Sequence, residues 1–527
     1  MIPRDEYIRE LYKELKSCRK VAEHLATEGV HLSRRAINDI VLNMSRAKVH
    51  KEKPIKPTKP SISGAYEALP PLLAIAKKFI ITAAQNNTTV HADFFKSILT
   101  YARENNAQVL VAPFTYNKKG FQNASSDDES LTYDPAVTPY LFNQRLQLTE
   151  GLTFFAELDI LPTAVNPLSD LESFCRGGSG IVPHTKTAMQ SLPRLVAEHN
   201  PRFLYSTGAC TMYNYIQRKA GQKAEFHHSF GALVVEVADD GTWFVRQVIA
   251  DEDGGFYDID TYYSPTGSRV NTKPSILVWG DIHIPNEDKN VVKVTRDLVK
   301  EVNARTHILH DVLDFNTRNH HNIKDRYHKM AVYNTTVQEE LTAVKTFVNS
   351  LLDPVENDVE VFIIDSNHNN ALLRWVKDLN GVHEENPQNA LLWHSLNMVA
   401  IQYTLADAGI ALSTEVLKVA LGAFPSGVYF VPVNTTLQKD TVELSMHGHN
   451  GVNGARGGPQ SLKKVAKACV GHSHSASIVD GLYTVGTTSK MNMGYNVGPT
   501  TWSHTHCVIY PNGKRTLITI VNNKWRA

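Results

Sequence analysis

Five short segments in the second half of the chain carry the residue types that hold divalent metal ions. They are Gly280-Asp281-Ile282-His283, His310-Asp311-Val312-Leu313-Asp314, Asp365-Ser366-Asn367-His368-Asn369, His447-Gly448-His449 and Gly471-His472-Ser473-His474. A hydrolytic two-metal centre needs one carboxylate bridging two cations. Imidazoles, carboxylates or amides must fix each ion, and open positions must remain for water and phosphate. These segments supply every one of those ligand types. Such ligands need rigid supports, and each segment follows an apolar run suited to a strand: Ser275–Trp279, Thr306–Leu309, Val359–Ile364, Val442–Met446 and Ala468–Val470. Strand ends hold ligands firmly while leaving them open to substrate.

The order D-x-H, D-x-x-D, N-H, H-G and G-H-x-H resembles the calcineurin-like metallophosphoesterase superfamily, across residues 281 to 474. The resemblance implies a dinuclear site in which Asp281, His283 and His474 hold one ion. Asn367, His447 and His472 hold the other, Asp311 bridges them, and His368 stabilises or protonates the leaving oxygen. It also implies hydrolysis by a two-metal-activated water, with Mn²⁺ as the expected ion and Mg²⁺, Zn²⁺ or Fe²⁺ as alternatives. Three positions depart from the family pattern. His310 and Ser366 replace glycines, and Asn369 replaces the acid that orients the catalytic histidine. His449 competes with His447 for the fourth assignment; His447 is preferred because the family motif is His followed by Gly.

Within the superfamily, residues 275 to 490 look most like the nuclease branch typified by the bacterial SbcD exonuclease, and like phosphoesterases of large tailed phages, including an early host-DNA-degrading nuclease. Two nearby features bear on substrate. The glycine-rich loop Gly451–Gly458 carries Arg456, which could meet phosphate together with backbone amides; a plain surface turn is the alternative. Arg318, His320 and His321 either line the cleft or form an ordinary polar loop.

The whole chain of 527 residues exceeds one ordinary core, and 42% hydrophobic with 20% charged residues is the balance of a globular protein. No apolar run approaches the roughly 18 residues of a membrane helix, so no membrane partner is expected. The five scattered cysteines form no C-x-x-C pair, which fits free thiols in a reducing cytoplasm, that of the host if the chain is phage-encoded.

Residues 1 to 63 carry 14 Lys+Arg against 8 Asp+Glu, while the remainder carries 40 against 45. Apolar residues at helical spacing predict three short helices over 1–47, a helix-turn-helix with Arg34, Arg35 and Asn38 as the expected DNA contacts. A Lys/Pro-rich stretch over 48–63 reads as an extended linker. A mixed α/β domain of unassigned role follows over 64–273, with a β-α-β unit across 78–113 and a hairpin at Asp239-Asp240-Gly241. Residues 274–527 form the metallophosphoesterase domain, expected as a four-layer α/β/β/α sandwich.

The fold class is thus α/β, and the leading expectation is a metal-dependent DNA nuclease, with a homo-oligomer left open. A phosphomonoesterase or protein phosphatase with an N-terminal assembly module shares the metal site. A non-catalytic DNA-binding scaffold is the third reading, with Asn369 and His310 as marks of decay.

Overall fold

A computed structural model describes residues 4–33, 37, 40–41, 76–116, 132–270, 272, 274–319, 325–352, 358–378, 384–407 and 409–527. The chain divides into two compact units, Met1–Pro70 and Pro71–Ala527.

In the first unit, helices Arg4–Leu15 and Cys18–Thr27 bury Ile8, Leu11, Val21 and Leu25 against Ile37. Gly29, at φ 78°, ends the second helix in the left-handed region that glycine adopts freely. The carbonyl of Ser33 accepts the Ile37 amide at 3.1 Å, and residues 37, 40 and 41 are helical. Arg34, Arg35, Asn38 and the linker 48–63 lie outside the described residues.

The second unit is mixed α/β. A six-stranded sheet runs in the spatial order Val428–Val431, Glu360–Ile364, Thr306–Leu309, Ile276–Val278, Thr505–Ile509 and Arg515–Thr519. Its first four strands are parallel and the last two antiparallel. Parallel neighbours need crossovers. Helix Lys289–Val302, capped by Asp288, and helix Val337–Asn349, opened by the Thr336/Glu339 capping box, supply the first two. Leu277, Leu309, Val361 and Ile363 pack beneath these helices. The alternate residues Ile276, Val278, Ile308, Phe362 and Ile364 face a second core, as a two-residue strand period requires.

That second core is shared with two further sheets. One is four-stranded and contains the β-α-β unit: Lys78–Gln85 and Gln108–Phe114 pair in parallel around helix Ala92–Asn105. The predicted hairpin follows in it as Gly231–Val237 against Trp243–Ile249. The other is ten-stranded. It joins strands between Arg145 and Ser206 to strands between Gln438 and Thr484 through the contact of Ile478 with Met189. The division drawn at 273/274 therefore falls inside one compact unit. Among the described residues no helix is long and apolar enough to cross a membrane.

Arg246 is fully buried and forks onto Asp258 at 2.6 and 2.8 Å, with Glu236 at 3.2 Å. Removing it leaves the buried Asp258 carboxylate without its cation and Glu236 with Lys78 alone, at 3.5 Å. Arg246→Ala should cost about 3–5 kcal/mol of stability, read by denaturant unfolding.

Candidate metal centre

The parallel strands of the six-stranded sheet end where Asp281 and His283, Asp311, and Asn367 begin, and short strands of the ten-stranded sheet lead to His447 and to His472 and His474. Asp281, His283, Asp311, His447 and His474 are all buried. Four of these site residues adopt left-handed backbone: His283 at φ 58°, Asp311 at 43°, His472 at 75° and His474 at 55°. Strain of roughly 1–3 kcal/mol per such residue persists only where surrounding structure enforces it, and it clusters at functional sites. His310 and Ser366, at the two glycine positions of the family pattern, do not take positive φ, so the replacements carry no such cost.

The side chains form two groups about Asp311. In the first, His283 Nε2 and His474 Nε2 stand 2.9 Å apart, and His474 Nε2 lies 3.1 Å from Asp281 Oδ2. In the second, Asn367 Oδ1 lies 3.0 Å from His447 Nε2 and 3.1 Å from His472 Nδ1. Asp311 Oδ2 sits between them, 3.6 Å from His283 Nε2 and 3.2 Å from His447 Nε2. The competing His449 stands beside the second group, its ring centre 5.4 Å from that of His447; its Nε2 meets Asn450 at 2.9 Å and its Nδ1 is buried without a hydrogen-bond partner. Asp281 Oδ1 is buried without a hydrogen-bond partner, an orphan acceptor of the kind a cation satisfies. Asp281, His283, Asp311 and His474 are close enough together to hold a metal ion.

Charge in this cluster is tightly linked. Burial alone would raise the Asp281 carboxyl, but His447 and His474 outweigh it and hold it down at about 2. Asp311 is likewise held well below the carboxylate range, burial being overcome by His447 and His368. Burial, reinforced by His447, lowers His472 to about 4, leaving its ring neutral and able to offer a lone pair. The donor set suits a divalent ion that accepts nitrogen and oxygen ligands.

His368 begins the helix Asn369–Lys377 beside this cluster. Asn369 does not orient it: its side chain bonds Ile364 O and the Leu313 amide, bracing the two loops. Asp314 takes that part. Its Oδ1 lies 3.1 Å from His368 Nδ1 and 3.0 Å from His283 Nδ1, while Asn286 donates to its Oδ2 at 2.8 Å. Burial disfavours a charged His368, yet Asp311 and Asp314 outweigh it and raise the ring to about 9. Asp314→Asn should lower metal affinity or turnover about 10- to 100-fold, the usual cost of losing an outer carboxylate that orients a ligand. Calorimetric Mn²⁺ titration checks it.

A cleft of about 560 Å³ opens onto the cluster, lined by Asp311, Asn367, His368, Arg456, Tyr495 and Trp502. Arg456 is exposed in the loop expected to face phosphate. Trp502 stacks edge-on to His474 with ring centres 4.2 Å apart, and Tyr495 stands 6.5 Å from His368. Sequence reasoning missed Asp314, Tyr495 and Trp502. Asp314 carried a signal, as the second acid of D-x-x-D, whereas the aromatics carried none. Arg318 does not line the cleft but forks onto Glu384 at 2.8 and 2.6 Å. His320 and His321 lie outside the described residues.

Gly471 is required for closeness: a Cβ there would overlap Asp281 Oδ1 and come within 3.1 Å of His310 Cγ. Gly471→Ala should displace the carboxylate, costing about 1–3 kcal/mol from overpacking. A lower Tm together with weakened Mn²⁺ binding is the expected readout.

The fold and site thus define a mixed α/β protein with a buried Asp/His cluster fit for metal ions. The chain is similar to Protein A1 of Escherichia phage T5, 39% identical over 473 residues that span 86% of this chain and 83% of the phage protein. It belongs to the same family as that protein. No family model and no solved structure matches the chain.

Proposed function

We propose that this chain is a calcineurin-like metallophosphoesterase that hydrolyses DNA phosphodiesters with two divalent ions, Mn²⁺ foremost. The observation that carries the reading is the pair of ligand groups either side of Asp311. One is Asp281, His283 and His474; the other is Asn367, His447 and His472. In this reading the six- and ten-stranded sheets are the inner layers of an α/β/β/α sandwich.

Bound ions would supply Lewis-acid stabilisation of the phosphoryl oxygens and activation of water. The protein's own residues do the rest. Asp314 fixes His368 through Nδ1, leaving Nε2 to give its proton to the leaving oxygen. Arg456 pairs with phosphate in the cleft, and Tyr495 and Trp502 wall it and offer faces to a base or sugar. Residues 1–47, with Arg34, Arg35 and Asn38, act as a DNA-binding helix-turn-helix joined by the basic linker 48–63, raising local substrate concentration. The phage T5 relative is in keeping with action on host DNA in the cytoplasm of an infected cell.

Chelator-treated protein, incubated with linear and circular DNA and re-supplied with Mn²⁺, tests the reading. Metal-dependent cleavage is expected. Hydrolysis of p-nitrophenyl phosphate without any cleavage of DNA would move the chain to the phosphomonoesterases.

A further inference from the structure

We propose that a basic groove beside the metal cleft, separate from the N-terminal unit, is the track along which a single nucleic-acid strand reaches the metal centre. The idea rests on the phosphoesterase reading and names the path its substrate takes.

The groove encloses about 1010 Å³ and is lined by six lysines and Arg515 against one carboxylate, Asp480. For a chain whose net charge is +1, a seven-to-one segregation is a local electrostatic feature rather than a reflection of composition. Helix Lys219–Phe226 contributes Lys219 and Lys223, and the turn after Pro459–Leu462 contributes Lys463, Lys464 and Lys467. Asp480 is already engaged by Lys186 and by Lys463, the latter at 2.7 Å, so the other cations have no carboxylate in the groove to answer them. Arg515 is 7% exposed; its Nη1 donates to the carbonyls of Ala468 and Gly481 at 2.8 Å, and its Nε is buried without a partner. Partial burial, with Arg515 and Lys514 nearby, outweighs the opposing pull of Asp440 and lowers Lys467 to about 8, as crowding among cations does.

Two observations select a strand rather than a lone anion. The groove and the metal cleft are neighbours, with one hollow between them that shares wall residues with each. Pro459 and Ser473 border both that cleft and an intermediate hollow of about 370 Å³, and the hollow shares Lys186 and Asp480 with the groove. Phe226, 84% exposed, stands on the groove wall among the lysines. A cationic channel with aromatic faces for unstacked bases is how single strands are held without sequence preference.

The test uses the full chain. Binding of a fluorescein-labelled 20-nucleotide single strand is followed by anisotropy in chelator across a salt series. Hydrolysis of bis(p-nitrophenyl) phosphate with Mn²⁺ is measured in parallel. The triple variant Lys219→Glu, Lys223→Glu, Lys464→Glu should bind about 10- to 100-fold more weakly. Its log–log salt slope should be shallower by about 2, three phosphate contacts at roughly 0.7 each, with small-diester hydrolysis unchanged. Phe226→Ala should weaken the oligonucleotide by about fivefold or more, from the loss of one stacked base, and leave heparin binding as it was. Wild-type affinity and slope in the triple variant would overturn the groove. An unaffected oligonucleotide in Phe226→Ala, or charge-dependent binding only to phosphatidylserine vesicles, would overturn the single strand as its occupant. Groove-dependent binding by a protein that hydrolyses no diester would instead remove the phosphoesterase reading.

Discussion

Asp311→Asn is expected to lower Mn²⁺-dependent hydrolysis of a phosphodiester by about 10³-fold or more, because it removes the one carboxylate placed between both ligand groups. Asp311 Oδ2 lies 3.6 Å from His283 Nε2 and 3.2 Å from His447 Nε2, and among the described residues it is the carboxylate within 4 Å of imidazoles from both groups. An amide of the same size keeps the packing but not the charge that joins two cations. Metal content should therefore fall while the fold survives. Near-UV circular dichroism unchanged beside lost activity separates that outcome from simple unfolding.

His368→Gln carries the second large effect, a loss of about 10²- to 10⁴-fold in kcat with metal content retained, the range for a positioned acid or base. Its pH dependence has a definite sign. Against burial, Asp311 and Asp314 raise the ring to about 9 in the protein without metal, so the imidazolium is the form present at neutral pH. An acid role then predicts activity that declines as pH rises. Ions bound beside Asp311 weaken its pull, so the declining limb of the loaded enzyme lies below about 9 and moves further down in Asp314→Asn. In the metal-free protein, a folded pKa above the ordinary 6.5 means stability fully present below that value and lost as pH rises through about 9. That component should be missing from His368→Gln in urea titrations at pH 6 and pH 10.

Local features of this architecture were readable from residue order. The strands at Thr306–Leu309 and Ala468–Val470, the helix at Pro459 and the β-α-β unit across 78–113 each carry their own periodicity and turn chemistry. Residue type, order along the chain and the resemblance to the metallophosphoesterases together brought Asp281, His283, Asp311, Asn367, His447, His472 and His474 into consideration, and the fold brings these side chains near one another. Long-range assembly was not readable. Strands of three to five residues such as Met189–Leu192 and Ser477–Val479 hold too few residues to declare their partners, so their joining in a ten-stranded sheet stayed hidden. The same holds for Arg318, whose partner Glu384 lies 66 residues away. Asp314 was passed over because the familiar acid was sought next to His368 in sequence. The loop from Asp311, turned at Phe315 with φ 59°, supplies that acid through space instead. The basic groove likewise draws on residues 186, 219–223, 463–467 and 515, which no window of sequence contains.

The claim that this is a two-metal phosphodiesterase is tested most directly by titrating Mn²⁺ into chelator-treated protein while following cleavage of linear DNA. The account predicts no cleavage without metal and saturation at two ions per chain, with Asp311→Asn silent throughout. Cleavage that persists in chelator, or in Asp311→Asn at saturating Mn²⁺, would contradict it.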